Sequence, residues 1–331
     1  MQTFLKLSIF SSFVLFLFGC TSPVPTKAPV FQHELEEGQP TPWLHTEFDD
    51  DSAQFTFGII TDLTGVEREG VFNTAVSQLN LFRPEFVMSV GDLIEGGTED
   101  RDQLTKEWDS FDERASRLVA PLFHVGGNHD LTNKKMVNIW HERYGPDYYY
   151  FLYKNVLFLV LDSEDFTDER MQEIYLARAT AMDIITGKTE GVYEETEYYS
   201  MPEKKTGEIS TQQSDYFTDV LENYPDVRWT MVFMHKPVWA REDAGGLSKI
   251  EAALGDRPYT VFNGHVHSFS HREKNGQDYT ILGTTGGLQK PGDPHAFDHI
   301  SLVTMTDEGP NVAHVKLEGI LDKTGTIPSG E

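Results

Sequence analysis

The feature that most limits what this chain can fold into is its alternation of short apolar runs with amphipathic stretches, several of the runs ending in a small polar cluster. Phe55 to Thr61 reads as a strand, Glu69 to Leu81 as a helix, Phe86 to Val90 as a strand and Gln103 to Leu118 as a helix. Leu122 to Val125 then reads as a strand and Lys134 to Tyr144 as a helix. Two close runs, Tyr148 to Tyr153 and Val156 to Leu161, are split by Lys154-Asn155 and predict a hairpin. Further strands are expected at Trp229–Met234, Tyr259–Phe262, Tyr279–Leu282, Ile300–Met305 and Val312–Lys316. Strand, helix, strand in that order predicts α/β layers. The aromatic stretch Tyr148 to Phe151 and His124 read as strand packing.

The N-terminus speaks to compartment. Lys6 precedes an apolar run from Leu7 to Phe18, followed by Gly19 and Cys20, the pattern of a short signal peptide over residues 1–19. A run of twelve residues does not span a bilayer. Leu17-Phe18-Gly19-Cys20 resembles the lipobox of bacterial lipoproteins, in which the cysteine is acylated. Cys20 is the only cysteine, so no intrachain disulfide is possible. It is either a lipid acceptor or incidental to an ordinary secretory signal. The expectation is an extracytoplasmic bacterial envelope protein, periplasmic or surface-exposed, held to the membrane through lipid on Cys20.

Residues 20–50 contain Pro23, Pro25, Pro29, Pro40 and Pro42 without apolar periodicity and read as an extended tether. The main globular domain is expected over 51–320, with a charged, Tyr-rich insertion at about 164–211 carrying one helix, Asp168 to Ile185, and a tail at 321–331. Tyr193, Tyr198 and Tyr199 in the insertion are candidates to border the site.

With 27 basic against 53 acidic residues the formal net charge is -26, so no nucleic-acid-binding surface is expected. Lys236 and Arg241 read as solvated charges. No Gly-x-Ser-x-Gly elbow or His-Glu-x-x-His helix occurs.

Five polar clusters remain at or just beyond strand ends: Thr61-Asp62, Gly91-Asp92, Gly127-Asn128-His129-Asp130, His235, and Gly264-His265-Val266-His267. Sites in α/β sheets form at such ends. A pair of divalent ions needs oxygens and imidazoles converging from several loops, with one carboxylate bridging ions roughly 3.5–4 Å apart. Gly91, Gly127 and Gly264 are expected to let the backbone turn sharply and bring the ligands close.

In this order the clusters resemble those of calcineurin-like metallophosphoesterases, whose motifs run Asp-x-His, Gly-Asp, Gly-Asn-His-Asp/Glu, His and Gly-His-x-His. The resemblance covers about residues 54–318 and implies an α/β/β/α sandwich of two mixed β-sheets. It implies two divalent metal ions (Mn, Zn, Fe or Mg): Asp62 and His267 on the first, Asp92 bridging, and Asn128, His235 and His265 on the second. It also implies a phosphomonoester or phosphodiester substrate, a bridging hydroxide as nucleophile, and His129 as general acid. Asp130 either orients His129 or caps the following helix. The sequence departs from the family where the first motif expects a histidine and has Thr64. Thr64, water or Glu95 would then complete the first site, and a non-catalytic binding protein on a degenerate fold is the alternative reading. The substrate class and oligomeric state stay open.

Overall fold

Side chains of a strand point alternately to its two faces, and in the apolar runs of this chain both faces are covered. The computed structural model describes residues 30–36, 38–48 and 54–328. The expected signal peptide and Cys20 lie outside them. In chain order the elements are β1 (Phe31–Gln32), β2 (Phe55–Ile60), α1 (Val71–Phe82), β3 (Phe86–Ser89), α2 (Arg101–Ala115), β4 (Leu122–Phe123) and α3 (Lys134–Tyr144). Then come β5 (Tyr149–Tyr153), β6 (Val156–Val160), α4 (Asp168–Ile185), α5 (Glu197–Ser200), α6 (Thr211–Asn223) and β7 (Trp229–Phe233). The chain closes with α7 (Gly246–Leu254), β8 (Tyr259–Asn263), β9 (Ser270–Lys274), β10 (Gln277–Ile281), β11 (His299–Thr306) and β12 (Gly309–Lys316).

Two mixed sheets result. One has five strands in the order β12-β11-β2-β3-β4 and the other seven in the order β1-β5-β6-β7-β8-β10-β9. β2, β3 and β4 run parallel, as do β6, β7, β8 and β10. The sheets face each other through aromatic rings: Phe86 meets Phe151 and Phe158, while Phe57 packs against Phe158 and Phe233. Such ring pairs add about 0.5–1.5 kcal/mol each beyond the area they bury. Outside the five-stranded sheet, Phe72, Leu79, Trp108, Phe111 and Trp140 from α1, α2 and α3 form a second core. Phe217, Leu221, Leu247 and Ile250 from α6 and α7 form a third outside the other sheet. This is the expected α/β/β/α sandwich.

The hairpin between β5 and β6 turns on Lys154 and Asn155, both with positive φ (46° and 62°), which matches the twist of the flanking strands.

The expected tether needs correction over part of its length. β1 pairs antiparallel with β5, Trp43 is buried against Phe123 and Tyr149, and the N–H of His124 donates to the Pro42 carbonyl at 2.7 Å. Prolines remove donors and periodicity, but they leave carbonyls and large apolar side chains free to dock on a sheet edge.

Candidate metal centre

The parallel strands deliver the polar clusters to one edge of the sandwich: Asp62 follows β2, Asp92 follows β3, Asn128 follows β4, His235 follows β7, and His265 and His267 follow β8. Nine described non-glycine residues have positive φ, and four of them are Asp62 (49°), Asp92 (57°), His265 (72°) and His267 (58°). A side chain in that region costs roughly 1–2 kcal/mol. Such strain, concentrated where carboxylates and imidazoles meet, marks a functional site. Hydrogen bonds hold it in place: the N–H of His265 donates to Asp62 Oδ1 at 2.9 Å, that of Asp62 to the Gly91 carbonyl at 3.0 Å, and that of Gly287 to the Asp62 carbonyl at 2.8 Å.

The glycines serve two different ends. Only Gly91 of the three takes a positive φ (88°), and a Cβ on it would lie 2.5 Å from His235 Nδ1. Gly127 and Gly264 are needed for close approach instead, since a Cβ would come 2.4 Å from Asp92 Oδ1 and from Asp62 Oδ2 respectively.

Each imidazole is oriented by a backbone carbonyl. His235 Nδ1 faces the Val90 carbonyl at 2.8 Å, His267 Nδ1 faces that of Leu288, and His265 Nε2 faces that of Lys204 at 2.9 Å. Carbonyls only accept, so these nitrogens carry the protons. His235 Nε2, His267 Nε2 and His265 Nδ1 are the nitrogens left to face a cation, which would take the place of any proton there, the arrangement metal-binding histidines need. His235 Nε2 stands 3.1 Å from Asp92 Oδ2, and His267 Nε2 stands 3.1 Å from Asp62 Oδ1.

Two groups of donor atoms result, Asp62–Asp92–His267 and Asp92–His235–His265, each with its atoms within 4.8 Å of one another. Asp92 belongs to both. The buried Asn128 Oδ1, next in sequence to Gly127, has no hydrogen-bond partner among the described residues, an acceptor left for a cation to satisfy. The donor set of carboxylates, one amide oxygen and imidazoles fits divalent cations. Burial opposes ionisation of Asp92, yet His235, His129 and His265 hold its carboxyl well below the usual range. Burial likewise opposes protonation of His235 and His267, but Asp92 and Asp62 override it and raise them to about 10 and about 9. This negative potential is what a cation would meet.

Thr64 is buried, and its Oγ1 stands close enough to the Glu95 carboxyl to lower its pKa, without a hydrogen bond of ordinary geometry. Glu95 takes part in neither donor group: its carboxylate accepts from the N–H of Glu67 at 2.8 Å. Its carbonyl accepts from His129 Nδ1 at 2.7 Å, so the His129 Nε2 lone pair accepts in turn from Arg178 Nη2 at 2.9 Å. Burial, with Arg178 beside it, lowers the His129 pKa. The His129 N–H donates to Asp92 Oδ1 at 2.8 Å.

Asp130 does not touch the His129 ring through any hydrogen bond. Its buried carboxylate accepts the N–H groups of Asp92, Leu93, Ile94 and Gly127, at 2.8 to 3.2 Å, and so fixes the loop that aims Asp92. Burial, with Asp92 nearby, raises its pKa to about 8.

Three features of the site escape sequence reasoning. Lys236 is buried rather than solvated, with Nζ 2.9 Å from Glu164 Oε2 and 2.8 Å from the Glu203 carbonyl. The insertion supplies the Lys204 carbonyl behind His265 and, from α4, the Arg178 guanidinium over His129. Arg241 donates to the Gly207 carbonyl at 2.9 Å. Of the insertion's tyrosines, Tyr198 is buried, while Tyr193 and Tyr199 pack edge to face under the Lys204 ammonium.

Comparison with known proteins agrees with this architecture. A serine/threonine-protein phosphatase, CPPED1, of Mus musculus is 35% identical over 95 residues, 27% of this chain and 30% of that protein. The chain thus spans under a third of the curated relative it matches. A dimetal phosphatase from Danio rerio superposes with a TM-score of 0.50 at 18% identity, over 79% of this chain and 98% of that one. GAP50, the anchor in the inner membrane complex of Plasmodium, superposes with a TM-score of 0.50 at 14% identity, over 83% and 87%. These likenesses show the fold. The sequence pattern of the calcineurin-like phosphoesterases matches residues 55–269, the span from β2 through the Gly-His-x-His cluster, and this chain belongs to that family.

Proposed function

We propose that this chain hydrolyses phosphate esters with two divalent cations, Mn, Zn, Fe or Mg, held by Asp62, Asp92 and His267 on one side and Asp92, Asn128, His235 and His265 on the other. One observation carries the reading: two donor groups share Asp92, and every imidazole in them turns one nitrogen inward, where a cation would displace its proton, while a backbone carbonyl holds the other. Cations bound there supply an activated water and positive charge for the phosphoryl oxygens.

The remaining steps belong to the chain's own residues. Asp130 and the backbone around Gly127 keep Asp92 aimed between the two groups. His129 is held by Glu95 so that Nε2 faces Arg178 and the site. To act as general acid, Nε2 must carry a proton and give it to the departing oxygen. A guanidinium only donates, so Arg178 has to leave that nitrogen first.

A second reading, a binding protein on this fold, is favoured by Thr64, a hydroxyl where the family's first motif has an imidazole. Metal content and hydrolysis of a chromogenic phosphomonoester and phosphodiester separate the two, on the full chain given Mn²⁺, Zn²⁺, Fe²⁺ or Mg²⁺. About two metals per chain, with turnover falling about 10²-fold or more in His129→Ala and Asp92→Asn, are expected. One metal or none, without turnover under any ion, would put the binding protein ahead.

A further inference from the structure

We infer that Arg178, carried into the site by the insertion helix α4, is a phosphoryl-binding residue that biases this centre toward dianionic phosphomonoesters over phosphodiesters. The inference rests on the phosphoesterase reading above. Arg178 is only 7% exposed. Its single hydrogen bond among the described residues is the 2.9 Å contact with His129 Nε2. The chain's other buried or clamping cations are satisfied differently. Lys236 has Glu164 and a carbonyl, and Arg170, two turns earlier on α4, is bound by both Glu173 and Glu203. A buried guanidinium without a carboxylate is costly unless an anion visits it.

The surroundings are shaped for that visit. Gly97 sits in the left-handed region (φ 63°), and a Cβ there would lie 2.8 Å from Arg178 Nη1, so the loop after β3 leaves a slot the width of the guanidinium. His129 Nε2, on which Arg178 rests, borders the Asp62–Asp92–His267 group, since a single Cβ on Gly65 would lie 3.4 Å from His267 Cε1 and 3.7 Å from His129 Nε2. The fork is therefore one residue from where a phosphoryl group would sit. A planar guanidinium offers parallel donors that match two phosphoryl oxygens, which a neutral imidazole lone pair cannot replace.

The charge of the ester decides the preference. Arg178 adds one positive charge to whatever the cations contribute, and a monoester dianion gains more from it than a diester monoanion.

The test uses the full chain as wild type, Arg178→Lys and Arg178→Gln, with metal content measured on each. kcat and KM are compared for 4-nitrophenyl phosphate and bis(4-nitrophenyl) phosphate, and binding of inorganic phosphate to the metal-loaded proteins is followed by calorimetry. In Arg178→Gln, kcat/KM on the monoester should fall about 100-fold, with a loss on the diester at least about tenfold smaller and phosphate affinity at least about tenfold weaker. Arg178→Lys should lie between, and it carries the same test where the glutamine variant does not fold. Equal losses on both esters with unchanged phosphate affinity would overturn the inference and make Arg178 a brace for His129. If the wild type turns over neither ester, the function proposed above fails. Phosphate binding then still decides Arg178: weaker binding in the variants supports it, and equal or absent binding overturns it.

Discussion

Gly264 shows how little room the centre leaves at the level of single atoms. A Cβ there would meet Asp62 Oδ2 and Thr61 Oγ1 at 2.4 Å and the Val90 carbonyl at 3.0 Å. The residue's φ is not in the left-handed region, so the expected damage is to the ligand and not to the turn. Gly264→Ala should fold at a cost of about 1–3 kcal/mol and lose cation from the Asp62–Asp92–His267 group. Metal stoichiometry measured beside a urea melt checks this, and undiminished metal content would show that Asp62 does not bind there. The clusters that converge on this point were readable in the sequence because each follows an apolar strand at short spacing. Arg178 was not readable: a lone arginine on a mostly polar helix looks solvated, and its partner is 49 residues away. Lys236 misleads in the same way, its carboxylate partner lying 72 residues earlier. Asp130 could be read as a charge beside His129, but what it binds is four backbone N–H groups, which leave no trace in residue identity.

The insertion is the element through which the rest of the chain reaches the centre, and a buried ion pair clamps it. Lys236 Nζ, 1% exposed, bridges Glu164 at the insertion's start and the Glu203 carbonyl near its end. Gln213 on α6 bonds the Asp162 carbonyl and the Asp165 carboxylate beside it. Removing only Lys236 leaves the Glu164 carboxylate buried and alone, a loss of about 3–5 kcal/mol. Lys236→Met should therefore lower the denaturation midpoint and open the 164–211 segment to protease, whereas Lys236→Met with Glu164→Leu should recover most of the stability. A single variant as stable as wild type, or a double variant worse than the single, would contradict this account of the clamp. At this scale the sequence is a good guide wherever periodicity and capping agree. Asn133 caps α3 and Thr167 caps α4, and both helices lie where the pattern puts them. β9 is hidden because its five residues, Ser-His-Arg-Glu-Lys, are polar and mostly exposed on a sheet edge. The docking of β1 is hidden because two residues carry no period.

Across the whole molecule, the two sheets and the centre are joined behind Asp62, and there acid should tell first. His299 on β11 is 1% exposed and accepts the Gly283 N–H at Nε2, 2.9 Å away. Gly283 opens the loop whose Thr285 and Gly287 N–H groups bind the carbonyls of Thr61 and Asp62. Burial, with His314 nearby, lowers the His299 pKa to about 3. Unfolded, the imidazole titrates near its ordinary value of about 6.5. Between those values the unfolded chain binds the proton and the folded chain does not, so stability is fully present above about 6.5 and falls as the pH drops toward about 3. For one such group the slope approaches about 1.4 kcal/mol per pH unit. A proton on Nε2 would also turn an acceptor into a donor facing the Gly283 N–H, so the loop behind Asp62 should loosen before the sheets part. His299→Gln keeps a side-chain oxygen for Gly283 and removes the titration. Urea melts of the two proteins from pH 7 to pH 4 should show a shallower acid loss in the variant, by about 1 kcal/mol per pH unit. Parallel curves would mean that His299 is not the buried acid sensor, and that acid weakens the fold through other groups.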